Sequence, residues 1–159
     1  LLPLIRDNGS WQLLYTRRSN HLKSHQGQVA FPGGASEPGD IDSVHTALRE
    51  TYEEVGIMPN TIQILGKMAQ IPTPSGFLIT PVVGVVQSPY SLTLEPEEVD
   101  RAFTIPLDWL MDPQHHQERT LIHNGRRVDG VVYFDTYDGE LLWGVSGRIT
   151  VNFIDILSS

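Results

Sequence analysis

The stretch from Asp42 to Val55 constrains this chain more than any other, because it is punctuated as a helix at both ends and concentrates negative charge on one side. Asp42 is a suitable N-cap and Gly56 a suitable residue to leave the helix in a left-handed conformation. At about 100° per residue, Val44, Leu48, Thr51 and Val55 share one face, and Glu50, Glu53 and Glu54 share the opposite one. The pattern predicts an amphipathic helix with an acidic outer face. Carboxylates at i, i+3 and i+4 repel one another and weaken a helix unless a cation meets them. Oxygen donors of this kind suit hard divalent ions such as Mg²⁺ or Mn²⁺. Arg49 lies beside Glu53 on the helical wheel, where it would orient that side chain or relieve the repulsion. Just upstream, Gly33-Gly34 forms a turn whose carbonyl is open to the same ion. A charge run alone more often marks a solvated helix face, so the cluster needs support from its surroundings.

Elsewhere the chain reads as short strands. Leu1 to Ile5 and Trp11 to Tyr15 flank Asp7-Asn8-Gly9-Ser10, the signature of a hairpin. Residues 18 to 26 are polar and loop-like, and Val29-Ala30-Phe31 runs into Pro32-Gly33-Gly34, which ends any strand. Further strands are predicted at Ile62 to Met68, Leu78 to Val86, Val99 to Ile105, Thr120 to His123 and Val128 to Phe134, with turns at residues 72 to 76 and at Asn124-Gly125. Leu107 to Met111 reads as a short helix and Gly144 to Leu157 as a second main helix. The order implies an α+β sandwich with a mixed sheet, and 159 residues without internal repeat or long linker imply a single domain over 1–159.

The bulk numbers exclude several classes. With no cysteine there is no disulfide framework, thiol nucleophile or cysteine-bound zinc, and a reducing cytoplasmic location is the expectation. A net charge of −8 argues against general nucleic-acid binding. No apolar run approaches the roughly 20 residues needed to span a bilayer. The opening LLPLIRDNGSWQLLY already reads as strand, turn and strand, so native residues are expected to precede Leu1.

The segment GGASEPGDIDSVHTALRETYEEVGI resembles the Nudix box, written G-x5-E-x7-R-E-U-x-E-E-x-G-U with U aliphatic. Gly34, Arg49, Glu50, Glu53, Glu54, Gly56 and Ile57 fall in place. Three positions depart from the pattern: Asp40 stands for the first glutamate, the loop to Arg49 is one residue longer, and Thr51 replaces an aliphatic residue. Asp42 competes with Asp40 for the first-glutamate place, and Asp40 is preferred. The resemblance implies an α/β/α sandwich with a catalytic loop and helix. It implies Glu53 and Glu54 as metal ligands, Glu50 as ligand or base, Arg49 in the catalytic group and the Gly33 carbonyl as a further ligand. The chemistry would be Mg²⁺- or Mn²⁺-dependent hydrolysis of a phosphoanhydride. A non-catalytic, nucleotide-sensing relative would be favoured by losses among Glu50, Glu53 and Glu54, and none is seen.

Residues 14 to 34, LYTRRSNHLKSHQGQVAFPGG, resemble a second signature, that of the coenzyme A pyrophosphatase branch: L-L-T-x-R-S/A-x3-R-x3-G-x3-F-P-G-G. Leu14, Thr16, Arg18, Ser19, Gly27 and Phe31 to Gly34 match; Tyr15 replaces a leucine and Lys23 an arginine. That branch implies cleavage of coenzyme A or its derivatives to 4′-phosphopantetheine and adenosine 3′,5′-bisphosphate. Arg17, Arg18, Lys23 and His25 form a basic strip suited to the substrate's phosphates, and Glu98 resembles an additional carboxylate of the branch. The six histidines show no zinc-like spacing, and the three tryptophans carry no assigned role. The rival reading is a family member acting on ADP-ribose, a dinucleotide or a nucleoside triphosphate. The expected partner is in either case a nucleoside diphosphate derivative, met by a monomer or homodimer.

Overall fold

A computed structural model of the chain describes residues 1–123 and 125–159. In chain order its elements are β1 (Leu2–Asp7), β2 (Ser10–Arg18), β3 (Val29–Ala30), α1 (Ser43–Val55), β4 (Ile62–Lys67), β5 (Ile71–Pro72), β6 (Leu78–Ile79), β7 (Val82–Val86), β8 (Val99–Pro106), α2 (Leu107–Met111), β9 (His116–His123), β10 (Arg126–Phe134) and α3 (Gly144–Leu157). The central sheet runs β3-β2-β1-β7-β4, with β8 on the other edge of β2. β1 and β7 are parallel and the remaining pairs of this sheet antiparallel, so the sheet is mixed, as the sequence predicts.

Alternation along the strands sends successive side chains to opposite faces, and each face has its own core. On one, Leu1, Ile5, Leu14, Val82 and Val86 pack against Ala47 and Val55 of α1. On the other, Leu2, Leu4, Leu13, Tyr15, Val83 and Phe103 pack against Phe153 and Ile154 of α3 and Val132 and Phe134 of β10. This is the expected α/β/α sandwich. The buried Tyr15 hydroxyl pairs with Thr150 Oγ1 at 2.9 Å, joining sheet to α3, and burial pushes its phenol well above the usual range. No helix among the described residues is long and apolar enough to cross a membrane.

Three expectations change in detail. The strand predicted over Leu78 to Val86 is split into β6 and β7 at Thr80-Pro81, since Pro81 has no N–H to give a ladder; its carbonyl instead accepts Met68 N–H at 2.9 Å. The strand predicted from Thr120 begins at His116. Its partner β10 begins at Arg126, and its register shifts between Val128 and Val131, where Gly130 takes φ +70°. The Asn124-Gly125 turn falls partly outside the described residues, which lack Asn124; Gly125 itself has φ +73°.

Candidate metal and phosphate site

α1 is held at both ends as its sequence implies. Asp42 accepts the His45 amide at 2.9 Å. At the other end Gly56 takes φ 76° and its amide donates to Tyr52 O at 2.9 Å. A Cβ on Gly56 would lie 2.9 Å from Thr93 Cβ and 3.0 Å from the Thr93 backbone, so this position serves a cap and a close chain crossing at once. The crossing segment docks on the helix end: Thr93 N–H donates to Val55 O at 2.9 Å and Glu95 N–H to Glu54 O at 3.0 Å. It then turns into β8, with Val99 N–H on Glu95 O at 2.8 Å and Ser19 N–H on Glu98 O at 2.8 Å. Glu98 is thereby fixed beside α1.

From the opposite side the Phe31 to Gly34 turn closes over the helix. The Gly33 amide faces the Glu54 carboxylate. Gly34 passes so near Glu50 that an added Cβ would sit 2.6 Å from its Cδ and displace the carboxylate. One oxygen from each of Glu50, Glu54 and Glu98 lies within 4.8 Å of the other two. Covered by both segments, Glu54 is only 5% exposed, which corrects the expectation that all three helix glutamates line an open outer face. A helical wheel shows angle only, and tertiary packing decides what covers that angle.

The electrostatics follow from that burial. Desolvation, then repulsion from Glu50 and Glu98, pushes the Glu54 carboxyl up to about 8, against partial relief from the Gly33 amide and Arg18. Glu50 is also raised, first by burial, with Arg49 pulling it back. An oxygen-rich site centred on a buried carboxyl fits a hard divalent cation, which would replace the retained proton. Glu53, half-exposed, stands outside this triad, with its carboxylate on Arg49 Nη1 at 3.0 Å.

Arg49 is a hub. Its Nε and Nη2 grip Asp40 at 3.0 and 2.9 Å, Nη2 also reaches Ala35 O at 3.0 Å, and Nη1 reaches Glu50 Oε1 at 3.1 Å. Asp40 takes a further bond from Thr46 Oγ1 at 2.8 Å and from the Glu37 amide at 2.9 Å. The Arg49 fork, followed by these donors, holds its carboxyl far below the usual range. The two competing aspartates thus have different roles, with Asp42 capping the helix and Asp40 anchoring Arg49.

The basic strip divides. Arg18 shares a strand face with Leu14 and Thr16, toward α1, and its charge acts on Glu54. Its Nε is buried with no hydrogen-bond partner among the described residues. Arg17 points to the opposite face, where its Nη1 meets the buried Glu140 at 2.9 Å together with Arg101 Nη1 at 2.9 Å. Lys23 is exposed on the loop between β2 and β3. His25 in the same loop pairs with Gln28 Oε1 at 3.0 Å. The structure therefore brings Glu50, Glu54, Glu98, Gly33 and Arg18 together, and does not bring Arg17 to them. Sequence reasoning missed Thr93 and Glu95, whose contribution is made by backbone amides and leaves no side-chain signal.

Comparison with known proteins gives an independent result. Residues 1–125 match the NUDIX domain family. A protein named as an uncharacterized Nudix hydrolase NudL from Photorhabdus laumondii is 40% identical over 137 residues, covering 86% of this chain and 72% of its own length. Among solved structures, a MutT/nudix family protein from Enterococcus faecalis matches with a TM-score of 0.60 at 16% identity, over 99% of this chain and 60% of that one. An Ap4A hydrolase from C. elegans, in a binary complex, matches with a TM-score of 0.58 at 19% identity, over 67% of this chain and 77% of that one. At such identities the two structures speak for the fold alone.

Proposed function

The chain belongs to the Nudix family, and on that premise we propose that it hydrolyses the pyrophosphate bond of coenzyme A or its derivatives, releasing 4′-phosphopantetheine and adenosine 3′,5′-bisphosphate. The observation that carries the reading is the triad Glu50, Glu54 and Glu98, centred on the buried Glu54, with Arg18 on the same side of the sheet. Glu50, Glu54 and Glu98 would hold Mg²⁺ or Mn²⁺, with the Gly33 carbonyl and Glu53 available to complete the set. When bound, the ion offsets charge on the phosphate oxygens and makes a water more acidic.

The remaining work falls to the chain's own side chains. Glu50, held by Arg49 through one oxygen, would serve through the other as metal ligand or as acceptor of the attacking water's proton. Arg49 holds both Glu50 and Glu53 through Nη1, and Asp40 fixes Arg49 in turn. Arg18, on the α1 side of the sheet with its charge acting on Glu54, is proposed to donate to a substrate phosphate. Lys23, exposed on the loop between β2 and β3, is proposed as the second basic contact. Arg17 is committed to Glu140 and makes no contact with substrate in this proposal.

The test is a substrate panel of coenzyme A, its 3′-dephospho form, ADP-ribose and nucleoside triphosphates, each with Mg²⁺ or Mn²⁺. Coenzyme A is expected to give the highest kcat/KM. Absence of coenzyme A cleavage beside turnover of ADP-ribose or a triphosphate would reassign the substrate while keeping the chemistry.

A further inference from the structure

Beyond the C-terminal end of α1 lies a groove of about 440 Å³, within the size of roughly 300–1,000 Å³ usual for small-molecule sites. Tyr52, Met58 and Leu94 give it an apolar lining, and Glu53 and Glu95 add carboxylates. Tyr52 and Met58 are 49% and 50% exposed, so neither is needed to fill a core. The groove adjoins the triad through the chain itself. Glu53 precedes the buried Glu54, and the Glu95 amide is bonded to Glu54 O at 3.0 Å. The segment from Thr93 to Glu98 thus walls the groove at one end and carries a triad carboxylate at the other.

We propose that this groove holds the uncharged, amide-bearing thiol arm of the substrate, an assignment that rests on the coenzyme A reading above. The Glu95 carboxylate beside an apolar lining repels phosphate, so the phosphorylated adenosine is disfavoured on this side. The same carboxylate accepts hydrogen bonds from amide N–H and hydroxyl groups, and the arm carries both along a chain of methylene and methyl groups. Arg18 and Lys23, by contrast, lie on β2 and the loop that follows it. The substrate is thereby ordered across the triad, nucleotide toward the basic strip and arm toward the end of α1. Specificity for the arm would then reside in Tyr52, Met58 and Leu94, residues outside both sequence signatures apart from the unspecified position at Tyr52.

The experiment compares coenzyme A with an analogue in which a methyl group replaces the arm on the diphosphate, using the full chain with Mg²⁺ and a Tyr52→Ser/Met58→Ser variant whose melting curve is recorded first. Loss of two apolar contacts is expected to raise KM for coenzyme A about tenfold, leaving its kcat and both constants for the analogue unchanged. An equal KM change for the two substrates, or none, overturns the groove assignment. A second measurement does not depend on turnover: pantetheine titrated into the unmodified protein should shift the Met58 methyl resonance, and a Met58→Leu variant identifies that signal. Shifts at Met58 without cleavage of coenzyme A would support the groove and overturn the proposed reaction. Cleavage of coenzyme A with no shift and no change in KM would overturn the groove and support the reaction.

Discussion

Two acidic groups flank the same helix and are treated in opposite ways. Asp40 is out of contact with water like Glu54, yet it faces the Arg49 fork, a threonine hydroxyl and a backbone amide, and its carboxyl is held far down. Glu54 meets two other carboxylates, with one amide and the more distant Arg18 as relief, and its carboxyl rises to about 8. Burial by itself therefore does not mark a binding site. What marks it is burial without enough internal donors, which leaves a requirement that a retained proton or a bound cation must meet. The satisfied pair builds the scaffold, and in the proposed function the unsatisfied triad is left for a cation.

The sharpest way to break this contrast is Glu54→Gln. It is expected to lower kcat/KM by at least about two orders of magnitude through loss of a charged ligand, while the melting temperature in EDTA stays level or rises because repulsion within the triad is relieved. Near-normal turnover at saturating metal would remove Glu54 from the site; a large fall in the melting temperature would show that its charge is structural. Asp40→Asn should act the other way round. Losing the bidentate anchor of Arg49 should lower the melting temperature with or without metal and reduce kcat/KM by about 10- to 100-fold, the range usual for groups that orient ligands.

For substrate choice, Arg18→Gln combined with Lys23→Gln should weaken coenzyme A hydrolysis by about one to two orders of magnitude more than hydrolysis of the 3′-dephospho form, the effect of a charge-assisted phosphate contact. Arg17→Gln should leave that ratio unchanged and lower only stability. If Arg17→Gln shifted the ratio as strongly, the division of β2 into a substrate face and a structural face would fail.

The smallest expected effect is one of pH. Because the folded value for Glu54 lies above the ordinary 4.5, its contribution is fully present below about 4.5 and is lost as pH rises to about 8. In EDTA the melting temperature should drift down over that window, and added Mg²⁺ should raise it more at pH 8 than at pH 5. Asp40 has the opposite sign: its value is depressed, so its contribution is present above the ordinary aspartate range and lost as pH falls through and below it. A melting temperature flat in EDTA from pH 5 to pH 8 would remove the contrast.

Much of this is legible in the amino-acid sequence. Asp42 and Gly56 mark the helix ends through local backbone chemistry, and local rules read them correctly. The Gly33-Gly34 turn is legible as a place of close approach, though the closest approach is to the Glu50 side chain. Period-two alternation separates Arg17 from Arg18, but which face meets Glu140 and which meets Glu54 depends on the chain's return from residues 98 and 140. Burial of Glu54 is hidden for the same reason. The break at Pro81 is readable from the missing N–H, and the long β-branched run around it masks that signal.

The docking of Thr93 and Glu95 on the end of α1 bears on how the site comes into being. Glu50 and Glu54 arrive together on one helix, whereas Glu98 arrives with a segment from much later in the chain. Assembly of the triad therefore waits on a non-local loop closure, the slow kind of step in folding. Cation affinity should consequently appear late in refolding, together with the pairing of β8 onto β2. A bound ion would act as a clasp, slowing unfolding more than it speeds folding.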